Sequence, residues 1–321
     1  MKSMFAYFLL SLPLVLCNGI AQAEKYPDRP IRVIVPFAPG GGADITARVI
    51  SDGLAKQIGH PVIVENRAGA GGTIGANLVA HSVPDGYTIL YTTPGQQITL
   101  PYLLKSLPYD PDDLRPVAQV ALVPSVLVVR KNLPVKNVQE LIDLAKKEPG
   151  KIHFGSAGIG ATSHLNGELL QSVAHIKLEH VPYKGTSEEQ RDLISGNIDM
   201  AIDTIGAYLS QIQAGIIIPL GVTTPEPVSL LPDVPPIAAT LPGYDLSPIN
   251  YLSVPAKTPD SIVQILSDAI NKVVQDPEIQ KKLLNQAILA RTNTPVQMAA
   301  LVKIERVKWK KVIDAAGIQP Q

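Results

Sequence analysis

The chain has 321 residues, with 28 Lys plus Arg and 28 Asp plus Glu, so its formal net charge at pH 7 is zero. This length allows two ordinary domains, each with its own core. The balanced charge excludes a strong overall attraction to nucleic acid or to an acidic membrane surface.

The N-terminal region has the pattern of an export signal. Lys2 supplies the positive start, Phe5–Val15 is an apolar stretch too short to span a bilayer, and Ala21-Gln22-Ala23 is a small-x-small cleavage site. We therefore expect a periplasmic protein whose mature chain begins near Glu24. The only cysteine, Cys17, lies within the signal, and the leucine before it disfavours the alternative of a lipid anchor. The mature chain then has no thiol for a disulfide or a metal.

The first glycine-rich turn follows soon after the expected cleavage site. The β-branched run Ile31–Val35 predicts a buried parallel strand that Pro36 ends. Three glycines at 40–42 let the backbone approach a ligand closely, and Asp44 is placed to cap a helix that runs to about Ile58. A strand that leads through glycines to a helix N-terminus presents unpaired N–H groups and the positive end of a helix dipole. This arrangement predicts an anion site.

Short β-branched runs alternate with helical periods along the chain, which predicts an α/β architecture with largely parallel sheets. The predicted strands are Ile31–Val35, Val62–Glu65, Thr88–Tyr91, Val126–Val129, His153–Gly155, Leu178–Val181, Met200–Ile202, Leu220–Thr223 and Leu252–Val254. The predicted helices are Ala43–Ile58, Gly72–His81, Val138–Lys147, Ser163–Ala174, Ala207–Ala214, Pro259–Gln275, Pro277–Asn285 and Pro295–Ala315. We expect Trp309, in the last of these helices, to pack in the core.

Two proline-flanked stretches predict where the chain crosses between domains. One is Val120–Val129, which a proline interrupts, and the other is Pro248–Pro255. If both connect the same two lobes, the first lobe consists of residues 24–122 and 253–321, and the second of residues 123–252. Clefts between such lobes are common ligand sites, and short crossovers are natural hinges.

A second glycine-rich turn, His153–His164, repeats the strand-turn-helix pattern of the first. It contains Gly158 and Gly160, and Thr162 or Ser163 is placed to cap the helix that follows. Two such helix N-termini, one in each lobe, could hold a carboxylate between them without an arginine. The alternative is that glycine-rich turns are simply how α/β units are built.

A third glycine-rich turn, within Glu65–Gly75, does not fit a nucleotide site. Its G-x-G-x-x-x-G spacing is not that of a dinucleotide-binding turn, and no Lys-Ser or Lys-Thr follows any of the glycine turns. Arg67 could pair with a ligand acid, or with Glu65 or a helix end. We favour the second interpretation, in which Arg67 has a structural role.

Two further side chains are candidates for the cleft. Thr92 or Thr93 follows a predicted strand and could supply a hydroxyl ligand. Asp203 follows the strand Met200–Ile202 at its carboxyl end, where open α/β sheets place ligand contacts, and its carboxylate would suit a ligand amine. Capping of the helix from Ile205 explains Asp203 about as well.

The patterns argue against an enzyme. A nucleophile elbow requires G-x-S-x-G, whereas Phe154 stands two residues before Ser156. The six histidines show no H-x-x-x-H or H-x-H spacing, so we expect no metal site. A secreted α/β hydrolase or lyase that uses Ser156 and His164 remains the alternative from another functional class.

Blocks of residues along nearly the whole mature chain match a known family. The blocks are Tyr26-Pro27-Asp28-Arg29-Pro30-Ile31-Arg32, Ile34-Val35-Pro36-Phe37-Ala38-Pro39-Gly40-Gly41, Val64-Glu65-Asn66-Arg67, Gly69-Ala70-Gly71-Gly72, Pro84-Asp85-Gly86-Tyr87-Thr88, Leu107-Pro108-Tyr109-Asp110, His180-Val181-Pro182-Tyr183-Lys184-Gly185, Leu231-Pro232-Asp233-Val234-Pro235 and Thr258-Pro259. On these blocks the chain resembles the Bug, or tripartite tricarboxylate transporter, extracytoplasmic solute receptors.

The resemblance implies a type II periplasmic binding protein fold, in which two α/β lobes joined by two crossover strands close over a small organic acid. The acid is held largely by backbone amides and water bridges, and the receptor delivers it to a membrane permease. Di- and tricarboxylates, acidic amino acids and aromatic acids are the expected ligands, with no cofactor and no catalysis. We expect a monomer; a sensor coupled to a signalling partner is a further alternative.

The family's two ligand-binding loops can be carried over position by position, and Thr93 and Asp203 are added from the analysis above. Within these loops alanine stands at position 161, where the family usually has Ser or Thr; Ala68, Pro227 and Asn250-Tyr251 are further departures from the family pattern. The candidate ligand-binding residues are Phe37, Ala38, Gly40, Gly41, Gly42, Ala43, Thr93, Ser156, Gly158, Gly160, Ala161, Thr162 and Asp203.

Overall fold

A computed structural model describes residues 26–37, 39–158, 161–183, 185–244, 246, 248–315 and 317–320. The expected export signal lies outside the described residues. Within them, no helix has the length and the apolar composition needed to cross a bilayer.

The described residues form eleven strands and ten helices. The strands are β1 (Ile31–Val35), β2 (Val62–Asn66), β3 (Thr88–Thr92), β4 (Leu114–Leu122), β5 (Ser125–Arg130), β6 (His153–Ser156), β7 (Glu179–Pro182), β8 (Met200–Thr204), β9 (Ile217–Val222), β10 (Ile249–Pro255) and β11 (Leu289–Ala290). The helices are α1 (Gly42–Ile58), α2 (Thr73–Ala80), α3 (Leu100–Leu103), α4 (Val138–Lys147), α5 (Thr162–Ala174), α6 (Thr186–Ser195), α7 (Ile205–Gln213), α8 (Asp260–Gln275), α9 (Pro277–Leu284) and α10 (Pro295–Ala315).

Most predicted elements agree with these bounds to within a few residues. The sequence predicted no helix at α3 or α6 and no strand at β4 or β11. Only the end of β4, from Val120, lies in the stretch that we interpreted as a crossover, and Pro116 within β4 is a residue that disfavours a strand. Tertiary pairing overrides this local signal: β4 has a neighbour on both sides, β10 and β11.

The strands form two mixed sheets, one in each lobe. The first has the order β11-β4-β10-β3-β1-β2 and the second the order β7-β6-β8-β5-β9. In each sheet three strands pair in parallel, β2-β1-β3 and β7-β6-β8. The remaining neighbours are antiparallel. The two-lobed α/β architecture that we predicted is confirmed. The sheets are mixed and not largely parallel, because every pairing that involves β4, β5 or β10, the strands next to the crossovers, is antiparallel.

The chain crosses between the lobes at two adjacent points. β4 belongs to the first sheet and β5 to the second, so the first crossover is Val123-Pro124. β10 pairs with β4 from Ile249 to Pro255 and with β3 from Tyr251 to Ser253, so it belongs to the first sheet from Ile249 on, a few residues before the expected boundary at 252/253. The Val123 N–H donates to the Pro248 carbonyl oxygen at 3.0 Å. The two crossovers therefore lie side by side and are joined by a hydrogen bond.

The C-terminal helix α10 packs on both lobes. It contacts α5 of the second lobe as well as β4 and α3 of the first. Trp309 is 2% exposed and shares one hydrophobic cluster with Leu103 of α3 and Leu165 of α5. Trp309 is thus a core residue, as the sequence analysis expected. α10 is part of residues 253–321, which we assigned to the first lobe, and it packs against both lobes.

Packing between β6 and α5 leaves no room for a side chain at Gly167. A Cβ atom placed there would overlap the ring of Phe154, which is fully buried. Alanine favours a helix over glycine by about 1 kcal/mol, whereas overpacking a core costs roughly 1–3 kcal/mol. We expect Gly167→Ala to lower the free energy of unfolding by about 1 kcal/mol or more in urea titrations. Gly185→Ala is the matched control, because Gly185 has extended backbone and open space around it; an equal loss there would contradict the packing explanation.

Candidate functional site

The turn before α1 is held by Asp44 from inside the helix. The predicted cap at Asp44 is wrong in position, because the N-cap of α1 is Gly41 and it makes no side-chain cap. Asp44 instead accepts hydrogen bonds from the Gly40 N–H at 2.9 Å, from Arg48 Nε at 3.0 Å and from Asn66 Nδ2 at 2.9 Å. These bonds, that of Arg48 foremost, lower the pKa of Asp44 to about 2.

The turn before α5 is held in a similar way. Its N-cap is Ala161, not Thr162 or Ser163 as predicted. The Ser163 hydroxyl, in the first turn, accepts from the Ala157 N–H at 3.0 Å and so ties the turn to the helix. In α1 and α5 alike, a side chain inside the first turn fixes the preceding loop. The N–H groups of a first helical turn have no partner within the helix, which leaves them for a ligand or water.

A cavity of about 740 Å³ lies between the lobes and reaches both helix starts. Its walls come from the turns of both lobes, from both crossovers, from α3 and from α10 with the residues that follow it. The described residues that line it are Phe37, Gly41, Gly42, Ala43, Ala70, Gly71, Thr93, Pro94, Gly95, Thr99, Leu100, Leu103, Leu104, Val123, Ala161, Thr162, Leu165, Thr204, Pro248, Asn250, Ile288, Trp309, Ile318 and Gln319.

None of these described lining residues carries a formal charge. Several of the polar side chains among them already have protein partners. The Thr93 hydroxyl donates to Gln96 Oε1 at 3.0 Å, and Asn250 Nδ2 donates to the Tyr91 hydroxyl at 2.9 Å. An anion in this cavity would therefore face the positive ends of α1 and α5 within mostly apolar walls. It would meet no ionised side chain from the described part of the chain.

The structure brings about half of the candidate ligand-binding residues to the cavity wall. Ala38 and Gly160 lie outside the described residues. Those that line the cavity are Phe37, Gly41, Gly42, Ala43, Thr93, Ala161 and Thr162. Those described but not part of the wall are Gly40, Ser156, Gly158 and Asp203.

Ser156 faces the interior of the second lobe. Its side chain is fully buried, its Oγ lies 2.7 Å from His180 Nε2, and it accepts from the Gly158 N–H at 3.2 Å. The His180 ring stacks on His164 at 4.1 Å between centroids, and burial, with a smaller contribution from His180, lowers the pKa of His164 to about 4. A substrate cannot reach a hydroxyl buried in this way, so the geometry favours a loop-shaping role over the hydrolase alternative.

Asp203 is also used within the second lobe. Its carboxylate accepts from the Thr186 hydroxyl at 2.7 Å and from the Thr204 N–H at 2.6 Å, and burial raises its pKa. Nearby, Glu189 accepts from the Tyr208 hydroxyl at 2.7 Å, and burial raises the pKa of Glu189 to about 8. The structure thus supports a structural use of Asp203, and the residue after it, Thr204, lines the cavity instead.

Arg67 takes the structural alternative that the sequence analysis favoured. Its guanidinium lies 3.2 Å from the Glu65 carboxylate, which Arg32 also binds through two nitrogens. Arg67 is not part of the cavity wall.

Most of the apolar wall was not predicted from the sequence. It comes mainly from α3, α5 and α10 and from Ile318 beyond α10. These side chains have the same chemistry as core residues and stand in no motif, so the sequence carried no signal for them. Only the packing of α10 across both lobes brings them to one cavity.

Comparison with known proteins agrees with this geometry. Residues 46–318 match the family model described as "Tripartite tricarboxylate transporter family receptor". The UPF0065 protein of the tcbD-tcbE intergenic region of Pseudomonas sp. strain P51 is 38% identical over 95% of this chain and 92% of its own length. Protein BugT of Bordetella pertussis is 34% identical over 93% of this chain and 94% of its own length. The family resemblance found in the sequence is confirmed.

Two solved structures have the same fold. The R. palustris protein Rpa4515, described with adipate, has a TM-score of 0.80 and 34% identity and covers 92% of this chain and 100% of its own. MatC from Rhodopseudomonas palustris, described with bound malate, has a TM-score of 0.75 and 31% identity and covers 90% of this chain and 100% of its own.

The charge of Asp44 should stabilise the first turn in a pH-dependent way. Its pKa in the folded chain, about 2, lies below the ordinary value of 3.8, so the contribution is complete above about pH 4 and is lost as the pH falls through 2. We expect Asp44→Asn to lower the free energy of unfolding at pH 7 by about 1–2 kcal/mol, since its partner Arg48 is half exposed. Urea unfolding of both proteins at pH 7 and at pH 3 measures this, and the difference should be smaller at pH 3.

Asp314→Asn is the matched control for this prediction. Asp314 pairs with Lys310 on the exposed surface of α10, and such pairs contribute about 0.5 kcal/mol or less. If Asp44→Asn lowers the free energy of unfolding equally at pH 3 and at pH 7, the charge of Asp44 is not the source of the stabilisation.

Proposed function

Because the chain belongs to the tripartite tricarboxylate transporter receptor family, we propose that it captures a small organic carboxylate between its two lobes. The carboxylate contacts the first turns of α1 and α5, and the lobes close over it about the two crossovers. Water molecules bridge the remaining polar atoms of the carboxylate to the protein. The protein binds and releases its ligand without chemical change.

The observation that carries this proposal is the pair of helix N-termini at one cavity without charged side chains in its described wall. Each charge-assisted hydrogen bond contributes roughly 1.5–3 kcal/mol. Two or three such bonds from each helix start therefore suffice for micromolar binding, about −8 kcal/mol, after the cost of ordering the ligand and the lobes. The related R. palustris proteins described with adipate and malate support a carboxylate as ligand.

The same proposal includes export and delivery. The N-terminal pattern directs the chain to the periplasm with cleavage near Ala23, and the mature protein acts there as a monomer. Closure about the bonded pair Val123 and Pro248 changes the relative position of the lobes, so a membrane permease of the tripartite tricarboxylate type can distinguish the loaded receptor from the empty one.

Binding should be visible as thermal stabilisation of the mature protein. We expect at least one member of a panel of di- and tricarboxylates, acidic amino acids, and aromatic and aliphatic monoacids to raise the melting temperature by several degrees. Ligand at about 100 times its Kd stabilises the folded state by roughly 2.7 kcal/mol. Differential scanning fluorimetry measures the shift, and the corresponding neutral amides should give none. A melting temperature that no acid moves would contradict the proposal.

A bulky residue at the start of α1 should block the anion. Gly41 has φ −78° and ψ 167°, a backbone conformation that valine adopts without strain, and it lines the cavity. We expect Gly41→Val to abolish binding of the acid found in the panel, because its methyl groups occupy the space in front of the helix N–H groups. Titration calorimetry measures affinity, and far-UV circular dichroism should remain that of the wild type.

Ala300→Val, on the exposed surface of α10, is the control for added bulk and should bind as the wild type does. Full affinity in Gly41→Val would show that the anion does not lie at the start of α1.

A further inference from the structure

We propose that the ligand is a monocarboxylate with an uncharged hydrocarbon body, whose apolar end lies among Leu103, Leu165, Trp309 and Ile318. This inference rests on the proposed function, since it takes the helix starts as the seat of one carboxylate. It concerns the part of the ligand beyond that carboxylate, which the rest of the cavity wall would contact.

The four apolar side chains form one continuous wall. Leu103, Leu165 and Trp309 belong to a single hydrophobic cluster, and Ile318 packs against it. All four also line the cavity. They come from α3 in the first lobe, α5 in the second, and α10 with the segment that follows it. The wall therefore depends on the packing of α10 against both lobes.

The polar atoms near this wall are already used or are neutral. Trp309 Nε1 donates to Glu305 Oε2 at 3.1 Å, so the indole has no donor left for a ligand. Gln319 Nε2 donates to the Gly317 carbonyl oxygen at 3.4 Å. Thr99, which lines the same cavity, contributes only a neutral hydroxyl. No lysine, arginine or histidine is among the described lining residues, so the described part of the wall holds nothing that would balance a second carboxylate.

The starts of α1 and α5 bring main-chain donors to the same cavity. Gly42, Val123, Thr204 and Ile288 line both this cavity and a smaller neighbouring one, which places the start of α1 at the junction of the two. Ala161 and Thr162, at the start of α5, lie one turn before Leu165, so the main-chain donors stand next to the apolar wall. The cavity volume of about 740 Å³ lies in the upper half of the usual range for ligand sites, roughly 300–1,000 Å³, and leaves room for a hydrocarbon body.

The consequence for selectivity follows from desolvation. A carboxylate moved from water into apolar surroundings without a partner is strongly disfavoured, whereas a methyl or phenyl group is favoured there. Between two acids of equal length, the one that ends in hydrocarbon should therefore bind more tightly than the one that ends in a second carboxylate.

Titration calorimetry at pH 7 with length-matched probes tests this on the mature protein. The probes are heptanoate, heptanedioate, heptanamide and 3-phenylpropanoate, with malate, adipate and citrate as compact or doubly charged references. We expect heptanoate or 3-phenylpropanoate to bind at least about tenfold more tightly than heptanedioate, adipate, malate and citrate. Heptanamide should not bind.

The outcomes separate the two proposals. If heptanedioate, adipate, malate or citrate binds as tightly as the monoacids or more so, the monocarboxylate inference is overturned and the carboxylate receptor stands. If heptanamide binds as tightly as heptanoate, or if no acid of this set or of the wider panel binds, the proposed function fails and this inference with it.

A reversal of preference gives the sharper test. We expect Ile318→Arg to weaken binding of heptanoate and to strengthen that of heptanedioate, because the guanidinium supplies the missing partner for a second carboxylate. Val307→Arg, at a position 58% exposed on α10, adds the same charge outside the cavity and should leave both affinities unchanged. Unchanged preference in a folded Ile318→Arg protein, with an unaltered circular dichroism spectrum, would overturn the placement of the apolar end.

Discussion

Hydrogen bonding by the main chain at two helix starts is the constraint on which the rest of this site depends. An anion that leaves water for an apolar cavity needs donors that are already in place, because an unpartnered charge is strongly disfavoured there. The first turns of α1 and α5 supply such donors, and each turn is fixed from within the helix. Asp44 holds one loop through the Gly40 N–H, and Ser163 holds the other through the Ala157 N–H.

Two kinds of contact place these donors across from each other. The crossovers lie side by side and are joined by the bond from the Val123 N–H to the Pro248 carbonyl oxygen. The helix α10 packs on α5 as well as on α3 and β4, which ties the lobes together on another face. The same helix supplies Trp309 to the cavity wall, so one element both supports the cleft and shapes it.

Polar side chains beside the glycine turns serve the protein more than the ligand. Ser156 contacts His180, and Asp203 contacts Thr186 and the Thr204 N–H. Both residues are buried, and buried polar groups require partners. A hydroxyl or carboxylate at the end of a strand can point toward the cleft or into the lobe. Its position in the sequence does not distinguish these two orientations.

The sequence by itself determined the fold class, the bounds of most helices and strands, the family and the two glycine turns before α1 and α5. These features depend on hydrophobic periodicity, turn chemistry and ordered motifs, all of which are local in the chain. Only the tertiary structure decided that β4 is a strand between β10 and β11, that the caps are Gly41 and Ala161, and that Leu103, Leu165, Trp309 and Ile318 meet at one cavity. The physical reason is that an apolar side chain has the same pattern in a core as in a cavity wall, and long-range packing alone separates the two.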